Sequence, residues 1–445
     1  MRSHGNSGML EVNFLIAGGG ITGSSAALLL SRLKLDYLLL ERETQLGGHA
    51  KTHSLNGYVF DEGPHIYFGR DSRISEFLGA PQVDAFTNLA VVGNLWNGKL
   101  LNHPAHLDFK GIEDSEVIHQ IAHDLLNQTM IAPSNYKEWL VNSLGIYIHD
   151  NFSEIYTQKY WRCSTEELGV DWVENRIHKP DEQLRSKIKQ ELARDNLAGS
   201  NFTSNAHYLT KYHYDKSGFW NIFSNLGGQK FTCEEILNVD LDNRVVRTIS
   251  REIKYKNLVS TIPLDNFMKM SISKDLNFLN NVRLSEKLEC TSLLALNLVI
   301  STNLEIEHRF HWIYNYDDAC MAARISFPDR FLAEDSSTRI FKIQLEFYWN
   351  KKREEIPNID VEDSLAFLVQ NGIVPPDSKI LFHDFLTVPY ANIIPTKDRA
   401  QQVEQIKLFL KNFDVELAGR YGGWEYLWSH DSSESGLKAV ENCLS

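Results

Sequence analysis

The sequence predicts an α/β fold in which a nucleotide-binding βαβ unit interleaves with a second, antiparallel β-sheet and a helical insertion. Three observations carry this. Residues 14–42 run as an apolar strand, a glycine turn, a helix, a second strand and a terminal acid. Residues 114–161 and 181–195 have helical apolar spacing and abundant Glu, Lys, Leu and Gln. From about residue 205 onward the pattern turns to strands.

The βαβ unit has a definite chemistry. In Gly18-x-Gly20-x-x-Gly23, the first glycine permits the tight turn out of the strand, the second lets backbone approach a pyrophosphate, and the third lets the helix pack close to the sheet. The helix start at Ile21 and Thr22 then presents free N–H groups and a positive dipole end. Glu41 ends the second strand, where a carboxylate accepts hydrogen bonds from both ribose hydroxyls. This is a Rossmann-type unit, and by itself it leaves NAD and FAD both open. The paired Gly47-Gly48 suggests a second close backbone approach to the dinucleotide.

Further along, Tyr58–Phe60, 244–249 and 255–263 look extended. The apolar run 291–300 and the segments 310–327 and 340–349 suggest successive strands of a second sheet that could roof a cofactor. Residues 398–412 form an amphipathic helix, followed by a short strand running into a second glycine turn at Gly419-Arg420. There is no internal repeat and no low-complexity linker, so the domains are expected to interleave.

Composition narrows the class. At 445 residues the chain is long enough for two or three domains of about 150 residues. It is 43% hydrophobic and 23% charged, which argues against disorder or a fibrous repeat. No run reaches the roughly 18 apolar residues of a membrane span and residues 1–10 lack a signal-like apolar region, so a cytoplasmic location is expected. The five cysteines are scattered, with no CxxC pair, so neither a disulfide framework nor a metal site is expected. A net charge of −13 disfavours nucleic acid as a partner and leaves a small-molecule substrate as the expectation.

The combination of Gly18-x-Gly20-x-x-Gly23, Glu41-Arg42, Gly47-Gly48 and Gly419-Arg420 resembles the flavin-binding fold shared by amine oxidases, protoporphyrinogen oxidases and UDP-galactopyranose mutases. The cofactor this implies is FAD. Four more segments resemble the mutases: Gly63-Pro64-His65-Ile66-Tyr67-Phe68; Trp312-Ile313-Tyr314 with Arg324-Ile-Ser-Phe-Pro328; Pro389-Tyr390 before Pro395; and Gly419 to Tyr426 with Asp431 and Gly436-x-x-Ala439-Val440-Glu441. Tyr156-Thr157-x-Lys159-x-Trp161 is closer to the bacterial type. The resemblance implies a nucleotide-linked sugar substrate and ring isomerisation through reduced flavin N5, with NAD(P)H a candidate reductant. A true FAD oxidoreductase of the amine oxidase or protoporphyrinogen oxidase type remains the alternative, and a non-catalytic flavin protein a third.

The residue roles follow from the same resemblance. His65 and Arg324 are the candidate catalytic residues, His65 beside the flavin and Arg324 on the diphosphate. Gly18, Gly20, Ile21, Thr22, Gly23, Glu41, Arg42, Gly47, Gly48, His65, Gly419 and Arg420 are assigned to FAD. Trp312, Tyr314, Tyr390 and Tyr426 are assigned to substrate, together with Lys216, which stands near where the eukaryotic mutases carry an arginine. The Asn-Gln-Asp-His run that follows the mutases' last tyrosine is replaced by Leu427-Trp428-Ser429-His430. The expected division is 10–110 with about 225–265 and 413–445 as the FAD-binding domain, 111–200 as the helical insertion, and 201–224 with 266–412 as the substrate sheet. Gly63 and Gly69 make a hinge at 61–71 plausible.

Overall fold

The computed structural model describes residues 9–67, 72–78, 86–129, 131–173, 176–177, 179–203, 212–227, 231–332 and 339–445. Gly69, one half of the expected hinge, lies outside the described residues.

The first strand, Leu10–Ala17, sits between two parallel neighbours, Tyr37–Glu41 and Glu252–Ser260, inside an eight-stranded sheet. Its last four residues are buried, as befits a strand covered on both faces. The meander Ile236–Asp240, Val245–Thr248 and Glu252–Ser260 extends the sheet on one side, and Val415–Leu417 pairs with the end of Glu252–Ser260. Between the first two central strands runs the helix Ile21–Arg32, whose Gly23 is pressed onto the turn: a Cβ there would lie 1.9 Å from the Gly18 carbonyl oxygen. The final helix, Ser429–Leu444, crosses it equally closely, since a Cβ on Gly436 would lie 2.3 Å from the Thr22 carbonyl oxygen. The C-terminal segment is thereby locked against the nucleotide-binding turn.

The second sheet has seven strands, in the order Lys379–Ile393, Cys290–Ser301, Ile340–Trp349, Arg324–Ser326, Trp312–Asn315, Val92–Trp96 and Lys99–Asn102. It is antiparallel apart from one parallel pair, Trp312–Asn315 with Val92–Trp96. Cys290–Ser301 is buried along eleven of its twelve residues because both flanks and both faces are covered. The pairing departs from the expected boundaries in two places. Residues 92–102 belong to this sheet, turned by Asn97-Gly98 with φ of 49° and 70°, the left-handed pair of a tight hairpin. Ser271–Ile272 joins the first sheet instead.

The insertion is helical: Ser115–Leu126, Tyr136–Leu144, a run from Ile146 to Tyr160 with a π-turn at His149–Ser153, and Glu182–Ala193. Asp114, Asn135 and Asp181 cap three of these by accepting backbone N–H bonds in their first turns. The apolar faces pack on Leu293, Ala295, Tyr348 and Val388 of the second sheet, so the insertion closes one side of the space between the sheets.

Candidate functional site

A cavity of about 1700 Å³ runs between the two sheets and under the insertion. A pocket for one small molecule takes roughly 300–1,000 Å³. This one therefore has room for a dinucleotide and a second ligand.

The nucleotide end is built from backbone. Gly18 leaves the strand at φ 100°, and Gly20 bridges Gly47, whose N–H donates to the Gly19 carbonyl at 2.9 Å. A Cβ on Gly48 would sit 3.0 Å from the Gly20 Cα, so two glycine turns form one cradle. Glu41 Oε2 accepts from the Gly19 N–H at 2.8 Å, which fixes the acid at the cradle's edge. Arg42 lies on the rim beside Glu43. Gly419, at φ 80°, brings the C-terminal turn onto Thr22, where a Cβ would meet Oγ1 at 2.4 Å. Gly18, Gly20, Ile21, Thr22, Glu41, Arg42, Gly47, Gly48, His65, Gly419 and Arg420 all line this cavity. Gly23 stands behind it and acts through helix packing.

His65 stacks on Phe219 at 5.1 Å, and its buried Nδ1 has no hydrogen-bond partner. Burial, reinforced by Arg324 and Arg420 and opposed by Glu62, pushes its pKa down to about 4, so the ring is neutral near neutrality and offers hydrogen bonds, not charge. Arg420 donates to the Leu427 carbonyl at 2.9 Å and to Asn392 Oδ1 at 3.1 Å, and its Nε is buried without a partner. Two glycine turns around a helix N-terminus, a ribose-type acid and these two unpartnered nitrogens fit a dinucleotide.

At the far end Tyr314, Arg324, Tyr426 and Trp312 come together as the sequence suggested, with differences. Arg324 is engaged: Nε and Nη2 donate to the two oxygens of Glu346, each at 2.8 Å. Glu346, with no exposed surface, also accepts from Tyr348 Oη at 2.8 Å. Trp312 is mainly a core residue, packed with Val92 and Phe331. Tyr390 is carried away from this group: it donates to the Asp265 carboxylate at 3.1 Å and packs near Tyr421 and Trp424 under Lys351. The reason is a bulge in the edge strand, where Leu293 pairs with Val388 but Thr291 pairs with Asn392, leaving Pro389, Tyr390 and Ala391 opposite Ser292. Asn392 thereby faces the site, accepting from Tyr160 at 2.7 Å. Lys216 is not brought in: Asp215 is buried in its turn and accepts from the Ser217 N–H at 2.7 Å, leaving Lys216 exposed outside the cavity lining.

The residues that sequence reasoning missed are Arg176, Tyr160, Asn392, Glu346 and Tyr348. Arg176 and Arg420 stack on the Tyr426 ring at 4.4 and 4.5 Å, and Tyr160 and Tyr426 share a hydrogen bond of 2.9 Å. Neither arginine has a carboxylate partner among the described residues, and burial lowers the Arg176 pKa to about 10.

Residues 16–80 match the NAD(P)-binding Rossmann-like domain family. Over 97% of its length the chain superposes on 95% of a reduced UDP-galactopyranose mutase, with a TM-score of 0.85 and 17% identity. The chain shares that fold. Over 56 residues it is 45% identical to a carotenoid 3,4-desaturase from Haloarcula japonica, 13% of this chain and 11% of that protein. Over 107 residues it is 32% identical to the chloroplastic protoporphyrinogen oxidase 1 of Spinacia oleracea, 21% of this chain and 18% of that protein. These curated relatives are thus matched over less than a fifth of their lengths. Among the described residues no helix is long and apolar enough to cross a membrane, and no group of three or more His, Cys, Asp or Glu is arranged to hold a metal.

Proposed function

We propose that the protein is an FAD-dependent enzyme acting on a nucleotide-linked sugar, with pyranose–furanose ring isomerisation as the reaction. The observation that carries this reading is Arg176, which lines the cavity beyond the nucleotide end without a carboxylate ion pair among the described residues. Guanidiniums withdrawn from bulk water call for a counter-charge, and a diphosphate matches their planar forks.

FAD would be held by Glu41 at the ribose, by the helix start at Ile21 and the Gly48 amide at the pyrophosphate, and by His65 and Arg420 toward the ring. When bound and reduced, the flavin supplies an electron-rich centre for the sugar's anomeric carbon. Arg176 stabilises the charge gathering on the departing diphosphate, with the Tyr426 hydroxyl as a further donor. Glu346, held by Arg324 and Tyr348, keeps a fixed carboxylate on the opposite wall. Trp161, Trp172 and Tyr156 exclude water around them.

The test is turnover by anaerobically reduced protein supplied with UDP-galactopyranose and UDP-galactofuranose, followed by chromatography. Interconversion that requires prior reduction is expected; absence of both conversion and UDP binding overturns the reading. Arg176→Ala is expected to weaken UDP binding roughly 10- to 150-fold, the loss of a charged hydrogen bond.

One observation favours a second reading, an FAD oxidoreductase of the amine oxidase or protoporphyrinogen oxidase type. Arg324 is closed onto Glu346, and the wall beside it is made of Tyr156, Tyr314 and His103 rings, with centroids 5.2 and 5.3 Å apart, a surface suited to a planar neutral molecule. Steady oxygen consumption with an amine or porphyrinogen, without prior reduction, would establish it.

A further inference from the structure

The bulge that takes Tyr390 from the far end of the cavity carries it to the nucleotide end. Ser292 Oγ donates to the Pro389 carbonyl at 2.8 Å and so holds the bulge in place. Tyr390 Oη then reaches the Asp265 carboxylate at 3.1 Å, in the first turn of the short helix Leu264–Met270. Asp265 is buried, but its neighbours Pro263, Asn266 and Met270 line the cavity, as Tyr390 does. The phenol bond therefore ties the edge strand of the second sheet to the carboxyl end of the first, where a dinucleotide lies. A second link runs through Tyr421, whose ring centroid is 6.1 Å from that of Tyr390 and whose hydroxyl donates to the Ala391 carbonyl at 3.0 Å. Its ring stands 5.0 Å from His49, the residue after the Gly47-Gly48 turn. Arg42, next to the acid Glu41, is close enough to act on Tyr390 electrostatically.

On this ring sits a cation. Lys351, Lys352 and Arg353 follow one another, and the second and third are consumed locally. Lys352 donates to the Glu286 and Leu288 carbonyls, and Arg353 pairs with Glu167 and Glu289. Lys351 has neither ion pair nor hydrogen bond among the described residues; its Nζ lies 3.8 Å from the centroid of the Tyr390 ring, and it lines the cavity. Asp265, the carboxylate beneath the ring, is taken by Tyr390 and has Lys269 at 3.8 Å. A lysine seated on an aromatic face keeps its charge and gives up part of its freedom before any ligand arrives.

The glycine cradle lacks what such a cation supplies. It offers a diphosphate neutral backbone N–H groups, with Glu41 fixed at its edge and Glu43 beside it, and Arg42 is drawn to Glu43 at 3.3 Å. We propose that Lys351, seated on Tyr390, is the cation that offsets the pyrophosphate charge of the bound dinucleotide from the side of the second sheet, which makes Tyr390 a cofactor-side residue. This rests on the FAD part of the reading above and is independent of which second ligand the far end accepts.

The experiment measures FAD retention by flavin fluorescence on serial dilution of the flavin-loaded protein. Lys351→Met is expected to raise the FAD dissociation constant about tenfold, the loss of one charged interaction, and Lys351→Arg to restore it. The wild-type affinity should fall more steeply with added salt than that of Lys351→Met. Tyr390→Leu, which removes the seat, should weaken FAD as well, and adding Lys351→Met to it should cost little more, because the two residues act as one unit. A merely structural lysine would change neither the salt dependence nor the additivity. In protein saturated with FAD, Lys351→Met should bind UDP as the wild type does. Unchanged FAD retention and salt dependence in Lys351→Met overturn the proposal and leave the FAD reading standing. Weakened UDP binding in its place assigns Lys351 to the second ligand and equally overturns it. A wild-type protein that binds no FAD removes the dinucleotide reading itself, and this assignment with it.

Discussion

Arg324 shows how a cavity-lining cation can already be engaged by a side chain of the same wall. It lines the cavity, but Glu346 occupies its fork, so its contribution is to hold a buried carboxylate. Replacing Glu346 by Ala leaves a buried guanidinium without its partner, and the expected loss is about 3–5 kcal/mol of stability, read by denaturant unfolding. Glu62 supplies a pH prediction. It accepts from His49 at 2.7 Å and His53 at 3.0 Å, and although burial alone would raise its pKa, these bonds bring it to about 2. A depressed carboxylate stabilises the fold above its unfolded value of about 4.5 and loses that contribution as pH falls toward 2. Thermal melts from pH 6 to 3 should therefore steepen in the wild type relative to Glu62→Gln. An equal slope in both would show that the His49–Glu62–His53 group carries no such linkage.

At the level of elements, the readable parts were those whose chemistry is local. Gly18, Gly20, Gly23 and Glu41 follow one another along one continuous turn, helix and strand, so their places in the fold could be inferred from order alone. Gln344, Glu346 and Tyr348 were equally legible in principle: polar residues at every second place of an otherwise apolar strand must share one face. The exchange of Tyr390 for Asn392 was not legible, because it depends on a bulge opposite Ser292 that only strand pairing defines. Arg176 follows no periodic pattern and gains its meaning from Tyr426, 250 residues away. The hairpin at Asn97-Gly98 carried a usable signal, and its consequence was to move 92–102 from the first sheet to the second. Two glycines test the element packing. Gly23→Ala would place a methyl 1.9 Å from the Gly18 oxygen, so the helix must shift, and the purified protein should carry markedly less flavin. Gly98→Ala meets only Asn371 Oδ1, at an ordinary contact distance of 3.8 Å, but keeps φ at 70°, so it should cost only about 1–2 kcal/mol and leave flavin content unchanged.

Across the whole molecule, the two sheets meet around one cavity, and the final helix ties its two ends together. Ser25 and Ser433 share a hydrogen bond of 2.8 Å, and Gly419 and Arg420 enter the site from the segment just before that helix. Interleaving follows from this arrangement: the nucleotide end needs chain from residues 10–50, 232–263 and 415–436, while the far end needs the insertion and the second sheet. The division of labour is therefore spatial. In the proposed reading, backbone glycines serve the dinucleotide, and side chains from distant segments serve the second ligand. The measurement that tests this most directly is a crystal structure of the reduced, flavin-loaded protein soaked with UDP. Density for the diphosphate within hydrogen-bond distance of Arg176, with Arg324 still paired to Glu346, is the predicted result. A diphosphate bound elsewhere, or a cavity that admits no UDP while an amine or porphyrinogen supports oxygen consumption, would contradict the account.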